Sequence, residues 1–301
     1  MSAATSAGPG GTLTGLRRGV ASALHRRPRL QLGLLLTPPL AWLGVIYLGS
    51  LAVLFLSAFW RLDPDTTQIV QEPSLVNFET LANTEVYRVI ALRTIGIAAA
   101  VTITDAALAF PLAYYMARVA SPRVRNLLFI AVLMPLWSSY LVRVYSWRII
   151  LSEEGPLNWL LGLVGLSGPG FGEISIWLVF SYIWLPYMIL PVYAGLERIP
   201  ASLLEASGDL GAHGLTTLRR VVVPLAFPAI VAGSIFTFSL TLGDYITPQL
   251  VSSTQFIGNV VYSNVGVAGN LPFAAAFATV PVMVMAVYLI GARRLGAFEA
   301  L

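Results

Sequence analysis

Long apolar stretches, separated by shorter polar segments, dominate the pattern of the chain. A membrane-spanning helix needs about 20 mainly apolar residues. Six stretches meet this requirement, at residues 32–60, 94–117, 127–151, 174–196, 224–242 and 272–292. The third is the least uniform, because Arg143 and Arg148 lie in its second half. The pattern therefore predicts an all-α transmembrane protein with six spans.

Composition supports lipid as the solvent of this chain. Hydrophobic residues make up 57% of it, charged residues 11%, and the mean hydropathy is +0.78, whereas soluble domains carry about 25% charged residues. Cysteine is absent, which excludes disulfides and thiolate metal sites. Lysine is also absent, so the chain has no phosphate-binding P-loop of the kind that needs one. Any ATPase with such a loop that works together with this chain must be another polypeptide.

The arginines indicate the orientation in the membrane. They concentrate in the N-terminal tail, the second and fourth connections and the C-terminal tail, as Arg17, Arg18, Arg26, Arg27, Arg29, Arg118, Arg123, Arg125, Arg198, Arg219, Arg220, Arg293 and Arg294. The other connections are mostly acidic. Because positive residues favour the cytoplasmic side, both termini are predicted to lie inside. The first apolar stretch exceeds the 7–15 residues of a signal-peptide core, so it is interpreted as a retained helix.

Two tails flank the predicted membrane domain, which covers residues 32–295. Residues 1–31 are rich in Gly, Ser, Ala and Arg and are predicted to be a disordered cytoplasmic tail. Residues 296–301 form the C-terminal tail. On the outer side, Asn77 is placed to cap a short helix that runs through Arg88.

The fourth connection, residues 197–223, has the strongest local pattern. Ser202 with Glu205 three residues later fits a capping box, and Gly211 and Gly214 are expected to break the helix that it starts. A second short helix then runs into the fifth span near Pro224. The product is a helix–glycine–helix elbow on the cytoplasmic surface, with small residues on its exposed face. Any polar loop between membrane helices can form such a capped helix, so the elbow alone does not define a function.

A resemblance to a known family adds to this pattern. Glu205-Ala206-Ser207, followed by Gly211 and by Val221, Val223 and Pro224, is similar to the signature E-A-A-x3-G-x9-I-x-L-P of ATP-binding-cassette (ABC) importer permeases. Residues 135–148, 185–197 and 242–248 look like the spermidine/putrescine branch of these permeases. The likeness covers roughly residues 32–295.

The resemblance implies half of a type I importer. It implies a six-helix bundle in a bacterial inner membrane, with a cytoplasmic coupling helix between helices 4 and 5. The implied partners are a cytoplasmic ATPase dimer that holds ATP and Mg, a second and different permease chain, and an external substrate-binding protein. No cofactor is implied for this chain, and no nucleic acid. The implied coupling residues are Glu205, Ala206, Ser207, Asp209, Gly211 and Pro224. Glu205 would anchor the elbow by hydrogen bonding, Ala206 and Ser207 would permit close approach, and Gly211 would permit the turn.

The branch also implies a small cationic cargo, most plausibly a polyamine. Ser252-Ser253 stands where the branch usually has a Gly-Gly pair, so iron, amino-acid-like and phosphonate cargoes stay open. Ionisable groups in a membrane usually face the bundle interior or a pathway. The candidate pathway residues are Asp105, Tyr140, Arg143, Asp244 and Tyr245.

Each of these pathway candidates also has a structural interpretation. Asp105 can form a structural hydrogen bond or a charge pair with Arg143, and we expect that pair between the second and third helices. Asp244 and Tyr245 can form an interfacial turn with an aromatic anchor, or they can meet a cation by charge and by its attraction to the ring face.

Two other classes of protein fit this sequence less well. An intramembrane serine-type enzyme needs a histidine base at membrane depth, and neither His25 nor His213 falls in a span. An aspartyl-type enzyme would have to use Asp105 and Asp244. However, the motif ending at Asp244 has Thr241 where such proteases have glycine. A secondary transporter would usually show paired broken helices in inverted repeats, which the pattern lacks. We therefore assign no catalytic residue and no metal ligand.

Overall fold

The computed structural model describes residues 28–296, with side chains from residue 32 onward. The predicted tails thus lie almost wholly outside the described residues. The chain divides into two compact units, Met1–Leu56 and Ser57–Leu301. The described residues of the first unit belong to one continuous helix, which comprises α1 (Pro28–Ala41), a π-helical stretch (Trp42–Leu48) and α2 (Gly49–Ser57). Its segment Leu32–Ser57 is long and apolar enough to span a membrane. Most of its large apolar side chains are exposed, as expected of a helix whose solvent is lipid.

The second unit is helical apart from one short hairpin. Its elements are β1 (Arg61–Leu62), β2 (Ile69–Val70), α3 (Val76–Asn83), α4 (Glu85–Tyr114), α5 (Pro122–Trp137), α6 (Tyr140–Leu151), α7 (Pro156–Gly162), α8 (Glu173–Glu197), α9 (Ala201–Asp209), α10 (Gly214–Thr217), α11 (Val223–Gly243), α12 (Ile246–Val251), α13 (Ile257–Gly266) and α14 (Leu271–Arg294). Two π-helical stretches, Tyr115–Val119 and Leu218–Val222, extend α4 and join α10 to α11. The strands pair antiparallel, with Arg61 opposite Val70. The predicted all-α membrane fold is confirmed.

Four spans of this unit are uninterrupted, at Glu85–Val119, Glu173–Glu197, Gly214–Gly243 and Leu271–Arg294. The third span, predicted over 127–151, is not one straight helix, because α5 and the helical segment Tyr140–Gly162 meet at a bend of 94°. Pro135 has no amide hydrogen for the last turn of α5. Ser138 then adopts extended backbone and Ser139 is also non-helical, with ψ 137°. The Ser138 hydroxyl donates to the Pro135 carbonyl at 2.7 Å. Counting the bent pair as one span gives up to six candidate spans in the described part of the chain.

The core lies where α8 packs against α4 and α11. Small residues let α8 and α11 approach closely: a Cβ atom built on Gly195 would lie 2.3 Å from the Cβ of Ala229. One built on Gly233 would lie 2.8 Å from the Sδ of Met188. Such contacts are typical of membrane helices, whose association depends on close packing rather than on escape from water.

The predicted role of Asn77 as a helix cap was wrong. Asn77 is the second residue of α3, and its side chain donates to the carbonyls of Ala58 and Trp60 at 2.9 and 2.7 Å. Since Thr84 is extended, α3 ends before Arg88 and a new helix, α4, begins at Glu85.

Candidate functional site

The fourth connection folds as an elbow of two helices, α9 and α10, around a turn at residues 210–213. Gly211 has φ +80°, a backbone conformation that glycine adopts without steric cost, so the predicted turn at Gly211 is present. The N–H groups of Gly211 and Ala212 bond back to the carbonyls of Gly208 and Ser207 at 2.8 and 3.0 Å. These bonds satisfy carbonyls that the end of α9 leaves free.

Two details of the predicted elbow were wrong. No capping box forms, because α9 begins at Ala201 after Pro200, which puts Ser202 inside the helix. Proline fixes its own φ and leaves the first helical amides without a side-chain acceptor here. Gly214 does not break the first helix but begins the second.

The residues predicted to couple to an ATPase differ in exposure. Glu205, Ala206 and Asp209 are exposed, whereas Ser207 is buried and its hydroxyl lies 2.9 Å from the Thr217 hydroxyl. Ser207 therefore does not lie on the exposed face where we expected it. It joins the two arms of the elbow, and Ala206 is left as the small residue on the surface.

Leu210 is the most exposed large apolar residue of the elbow, and no pattern in the sequence singles it out. Its side chain is 89% exposed at the tip of the turn, beside a groove of 520 Å³ that Leu203, Ala206, Gly211 and Thr216 help to line. Leu203 and Leu215 of the same elbow are also exposed, and exposed apolar residues that group together are typical of protein contacts. Pro224, the last signature residue, lies inside the continuous helix Gly214–Gly243, directly after the π-helical stretch Leu218–Val222, and proline is a common cause of such local irregularity because it lacks an amide hydrogen.

A second feature is a cavity of 340 Å³ at the end of α11 that the arginine distribution assigns to the outer side. It brings together three of the five candidate pathway residues, Tyr140, Asp244 and Tyr245, together with Trp184, Gly243 and Ile246. The rings of Tyr140 and Trp184 stack at 5.9 Å between centroids. The ring of Tyr245 stacks on Tyr262 at 4.6 Å. The cavity is therefore an aromatic chamber with one acidic side chain.

The Asp244 carboxylate is fixed by hydrogen bonds within the chain. One oxygen accepts from the amides of Ile246 and Thr247 at 2.7 and 3.2 Å. The other accepts from the hydroxyls of Tyr140 and of Thr247, the latter at 3.2 Å. A carboxylate has about four lone-pair sites, and these four donors occupy them. Asp244 thus acts on the cavity as a fixed negative charge that also orients Tyr140 and begins α12.

The end of α11 adds to this negative potential. Ser239, Leu240 and Gly243 from its last turn line the same cavity. The last carbonyls of a helix carry a partial negative charge that favours cations. The cavity therefore suits a positively charged group in three ways, through ring faces, the Asp244 charge and the end of α11.

Asp105 and Arg143 do not form the predicted charge pair. Asp105 is 0% exposed, in the part of α4 that packs on α8 and α11, and neither of its carboxylate oxygens has a hydrogen-bond partner in the described part of the chain. Arg143 is 9% exposed, and its Nε and Nη1 atoms are equally unpartnered there. The prediction assumed a straight third span. The 94° bend at Ser138–Ser139 turns α6 away from that axis and removes the basis for the pair.

The comparison with protein families identifies the class. Residues 109–295 match the family model described as "Binding-protein-dependent transport system inner membrane component". The chain belongs to this family and is an inner-membrane ABC importer permease, as its resemblance to these proteins implied.

Two named relatives cover most of this chain. It is 48% identical to the inner membrane ABC transporter permease protein YdcU of Escherichia coli (strain K12) over 298 residues, which are 94% of this chain and 95% of that protein. It is 30% identical to the spermidine/putrescine transport system permease protein PotB of the same organism over 256 residues, 83% of this chain and 92% of PotB.

Solved structures share the fold. A chain of a bacterial alginate ABC transporter in complex with its alginate-bound periplasmic protein superposes with a TM-score of 0.71 at 18% identity, over 93% of this chain and 97% of the other. A chain of the MetNI methionine ABC transporter in an inward-facing conformation gives 0.54 at 18% identity, over 72% and 96%. At this identity the likeness concerns the fold alone.

Proposed function

We propose that this permease carries a small organic cation, with polyamines as the first candidates, across the inner membrane in an importer driven by a separate ATPase. The observation that carries the proposal is the cavity of Tyr140, Trp184, Asp244 and Tyr245. Ring faces attract ammonium groups by roughly 0.5–2 kcal/mol each, more when water is excluded. The relation to PotB, a spermidine/putrescine permease, supports the same class of cargo.

We further propose that the elbow is the contact with the ATPase. Glu205 and Asp209 present carboxylates, and Leu210 presents an apolar side chain. The elbow leads without interruption through α10 and the π-helical stretch into α11, whose other end lines the cavity. A movement of the elbow is therefore transmitted by one continuous helix to the candidate cargo site. ATP and Mg would be bound by the ATPase.

The remaining partners in this proposal are a second permease chain and an external binding protein. Large apolar side chains are exposed on several helices of this unit, including Leu92, Ile103 and Val287, and they need lipid or another membrane protein as cover. The alginate transporter was solved with its periplasmic protein, which supports an external protein as the source of cargo.

The test is reconstitution of the permease pair, the ATPase and the binding protein in proteoliposomes. ATP-dependent uptake of labelled putrescine or spermidine is expected, with ATPase activity stimulated by the loaded binding protein. Absence of competition between polyamines and the cargo that is transported would exclude polyamines. If uptake does not depend on ATP, the importer mechanism itself is wrong.

A further inference from the structure

The junction between α8 and the elbow leaves two backbone carbonyls short of donors. In an α-helix each amide donates to the carbonyl four residues earlier, but the residue four after Leu196 is Pro200, which has no amide hydrogen. The amide of Leu203 donates to the carbonyl of Pro200 at 3.2 Å, so the carbonyl of Ile199 lies ahead of the bonding pattern of α9. Leu196 is fully buried and Ile199 is 6% exposed. Both carbonyls thus belong to residues that are largely shielded from water.

Arg118 supplies donors to both of these carbonyls. The two hydrogens of its Nη2 group are donated to the carbonyl oxygens of Leu196 and Ile199. A cation at the carboxyl end of a helix is also favoured by the partial negative charge of the last carbonyls. Arg118 lies in the π-helical stretch Tyr115–Val119 that extends α4, and such wider turns are frequent at functional sites. One guanidinium group therefore forms a bridge from the cytoplasmic end of α4 to the start of the elbow.

The bridge starts from a firmly held part of the protein. Further into the membrane domain, Trp177 of α8 donates from its Nε1 to the Thr104 hydroxyl of α4 at 3.0 Å. Met116, two residues before Arg118, belongs to the same buried cluster as the two residues whose carbonyls accept. Leu204 of α9 packs against that cluster. The end of α4 thus supports the elbow by apolar packing and by the Arg118 bridge.

We propose that Arg118 is a positioning residue for coupling, which holds the start of the elbow on the cytoplasmic end of α4. This inference rests on the proposed function, because it concerns the same contact with the ATPase. When the ATPase pushes on the elbow, α9 and α10 move α11 only if the start of α9 stays in place. Without the bridge, α9 tilts about its junction with α8, and less of the movement reaches α11.

Two readouts test the bridge in the complete reconstituted importer. The first is the uptake of 1,4-diaminobutane per ATP hydrolysed. Arg118→Gln is expected to lower it roughly fivefold or more, because two hydrogen bonds from a charged group are lost. The second needs no cargo, since nitroxide labels on cysteines at Val119 and Ser202, both exposed, report the spread of distances between the end of α4 and α9. Arg118→Gln should make this spread roughly twice as wide, because the bonds that fix the junction are gone.

A matched control removes another arginine at the end of α8. The guanidinium of Arg125 lies 4.0 Å from the carboxylate of Glu197, and both side chains are partly exposed. Surface pairs of this kind contribute little, so Arg125→Gln should leave both readouts unchanged. Arg118→Lys keeps the charge but loses the guanidinium geometry. Its values should fall between those of the wild type and Arg118→Gln.

Three outcomes would overturn the inference. The first is an equal fall of uptake and ATPase activity in Arg118→Gln, which leaves their ratio unchanged and shows a purely structural role. The second is an unchanged spread of distances in that variant. The third applies if Arg118→Gln does not assemble, and it is wild-type values of both readouts in Arg118→Lys.

Glu205→Ala distinguishes failure of this inference from failure of the proposed function. If Glu205→Ala uncouples transport while Arg118→Gln behaves as wild type, only the role of Arg118 is rejected. If Glu205→Ala couples normally, the elbow is not the contact with the ATPase, and both proposals are wrong. If 1,4-diaminobutane is not transported, the proposed cargo is wrong, and the distances between the labels decide on Arg118.

Discussion

The hydroxyls of Ser207 and Thr217 lie 2.9 Å apart and join the two arms of the cytoplasmic elbow. Ser207 belongs to α9 and Thr217 ends α10, with the Gly211 turn between them. The bond therefore fixes the angle between the arm that presents Glu205 and the arm that continues into the fifth span. In the proposed coupling to the ATPase, the movement that reaches α11 depends on this angle.

Removing either partner of this bond should loosen the elbow. Ser207→Ala and Thr217→Val are each expected to lower the free energy of unfolding by about 1 kcal/mol. Each variant removes one of the two hydroxyls and leaves the other without its partner. The double variant should cost less than the sum of the two. A double-mutant cycle on unfolding in mixed micelles measures this coupling. Strict additivity would mean that the bond contributes nothing to stability.

Glu205 is expected to be required for coupling to the ATPase. It is exposed and has no hydrogen-bond partner in the described part of the chain, so its loss should not disturb the fold. Glu205→Ala should abolish stimulated ATPase activity and uptake, with normal membrane insertion. Glu154→Ala, an exposed acid in the connection assigned to the other side, is the matched control and should behave as wild type. Normal transport by Glu205→Ala would remove the coupling assignment.

The membrane orientation can be tested with single cysteines, since the chain has none of its own. A cysteine at Ala206 or Ala300 should resist an impermeant thiol reagent in intact cells and react after permeabilisation. A cysteine at Glu154 or Ser253 should react in intact cells. Ala206 is preferable to Ser207, whose side chain is buried. The reverse labelling pattern would overturn the N-in, C-in orientation.

Variants of Asp244 and Tyr140 distinguish the effect of the negative charge at the cavity from the effect of the hydrogen bond that positions it. Asp244→Asn removes the fixed negative charge while keeping an oxygen for the amides of Ile246 and Thr247, so cation uptake should fall at least tenfold. Tyr140→Phe keeps the ring and the charge and loses only the bond to Asp244, so uptake should fall about two- to threefold. Basal ATPase activity is expected to change little in both. Unchanged uptake by Asp244→Asn would exclude Asp244 from the pathway.

Periodicity and length were enough to predict the spans, because a run of about 20 apolar residues has few alternatives to a membrane helix. They did not predict the break at Ser138–Ser139, since a proline inside a membrane helix is compatible with a straight, kinked or broken helix. The pair of Asp105 and Arg143 failed for the same reason, as it was inferred from depth along an assumed straight axis.

The site was predicted only in part. The spacing from Glu205 to Pro224 located the elbow, and Asp244 with Tyr245 located one side of the cavity. The sequence alone does not single out Trp184, because helical spacing places it on a face without saying what lies opposite. Thr247 and Thr217 acquire their roles through contacts across the fold that no local pattern records.

The close crossing of α8 and α11 predicts that a larger residue on α8 destabilises the protein and that a smaller residue opposite it on α11 restores stability. Gly195→Ala would put a methyl group 2.3 Å from the Cβ of Ala229, which should cost about 1–3 kcal/mol by overpacking. Ala229→Gly in the same chain should restore much of the stability. Gly96→Ala is the control, because nothing lies within 4 Å of a Cβ at that exposed helical position, and alanine favours the helix by about 1 kcal/mol. Thermal unfolding in detergent measures all three, and equal melting of the two alanine variants would contradict the close contact.

Asp105 should behave as an unpaired buried acid. An ionised carboxylate without partners is costly in apolar surroundings, and a buried charge is often replaced by an apolar residue with no loss or with a gain in stability. Asp105→Leu is therefore expected to leave the free energy of unfolding unchanged or to raise it by about 1–3 kcal/mol. Since Asp105 and Arg143 share no contact, the Asp105→Leu and Arg143→Gln effects should add to within about 0.5 kcal/mol. A coupling above about 1 kcal/mol in the assembled importer would show that the two residues do pair there.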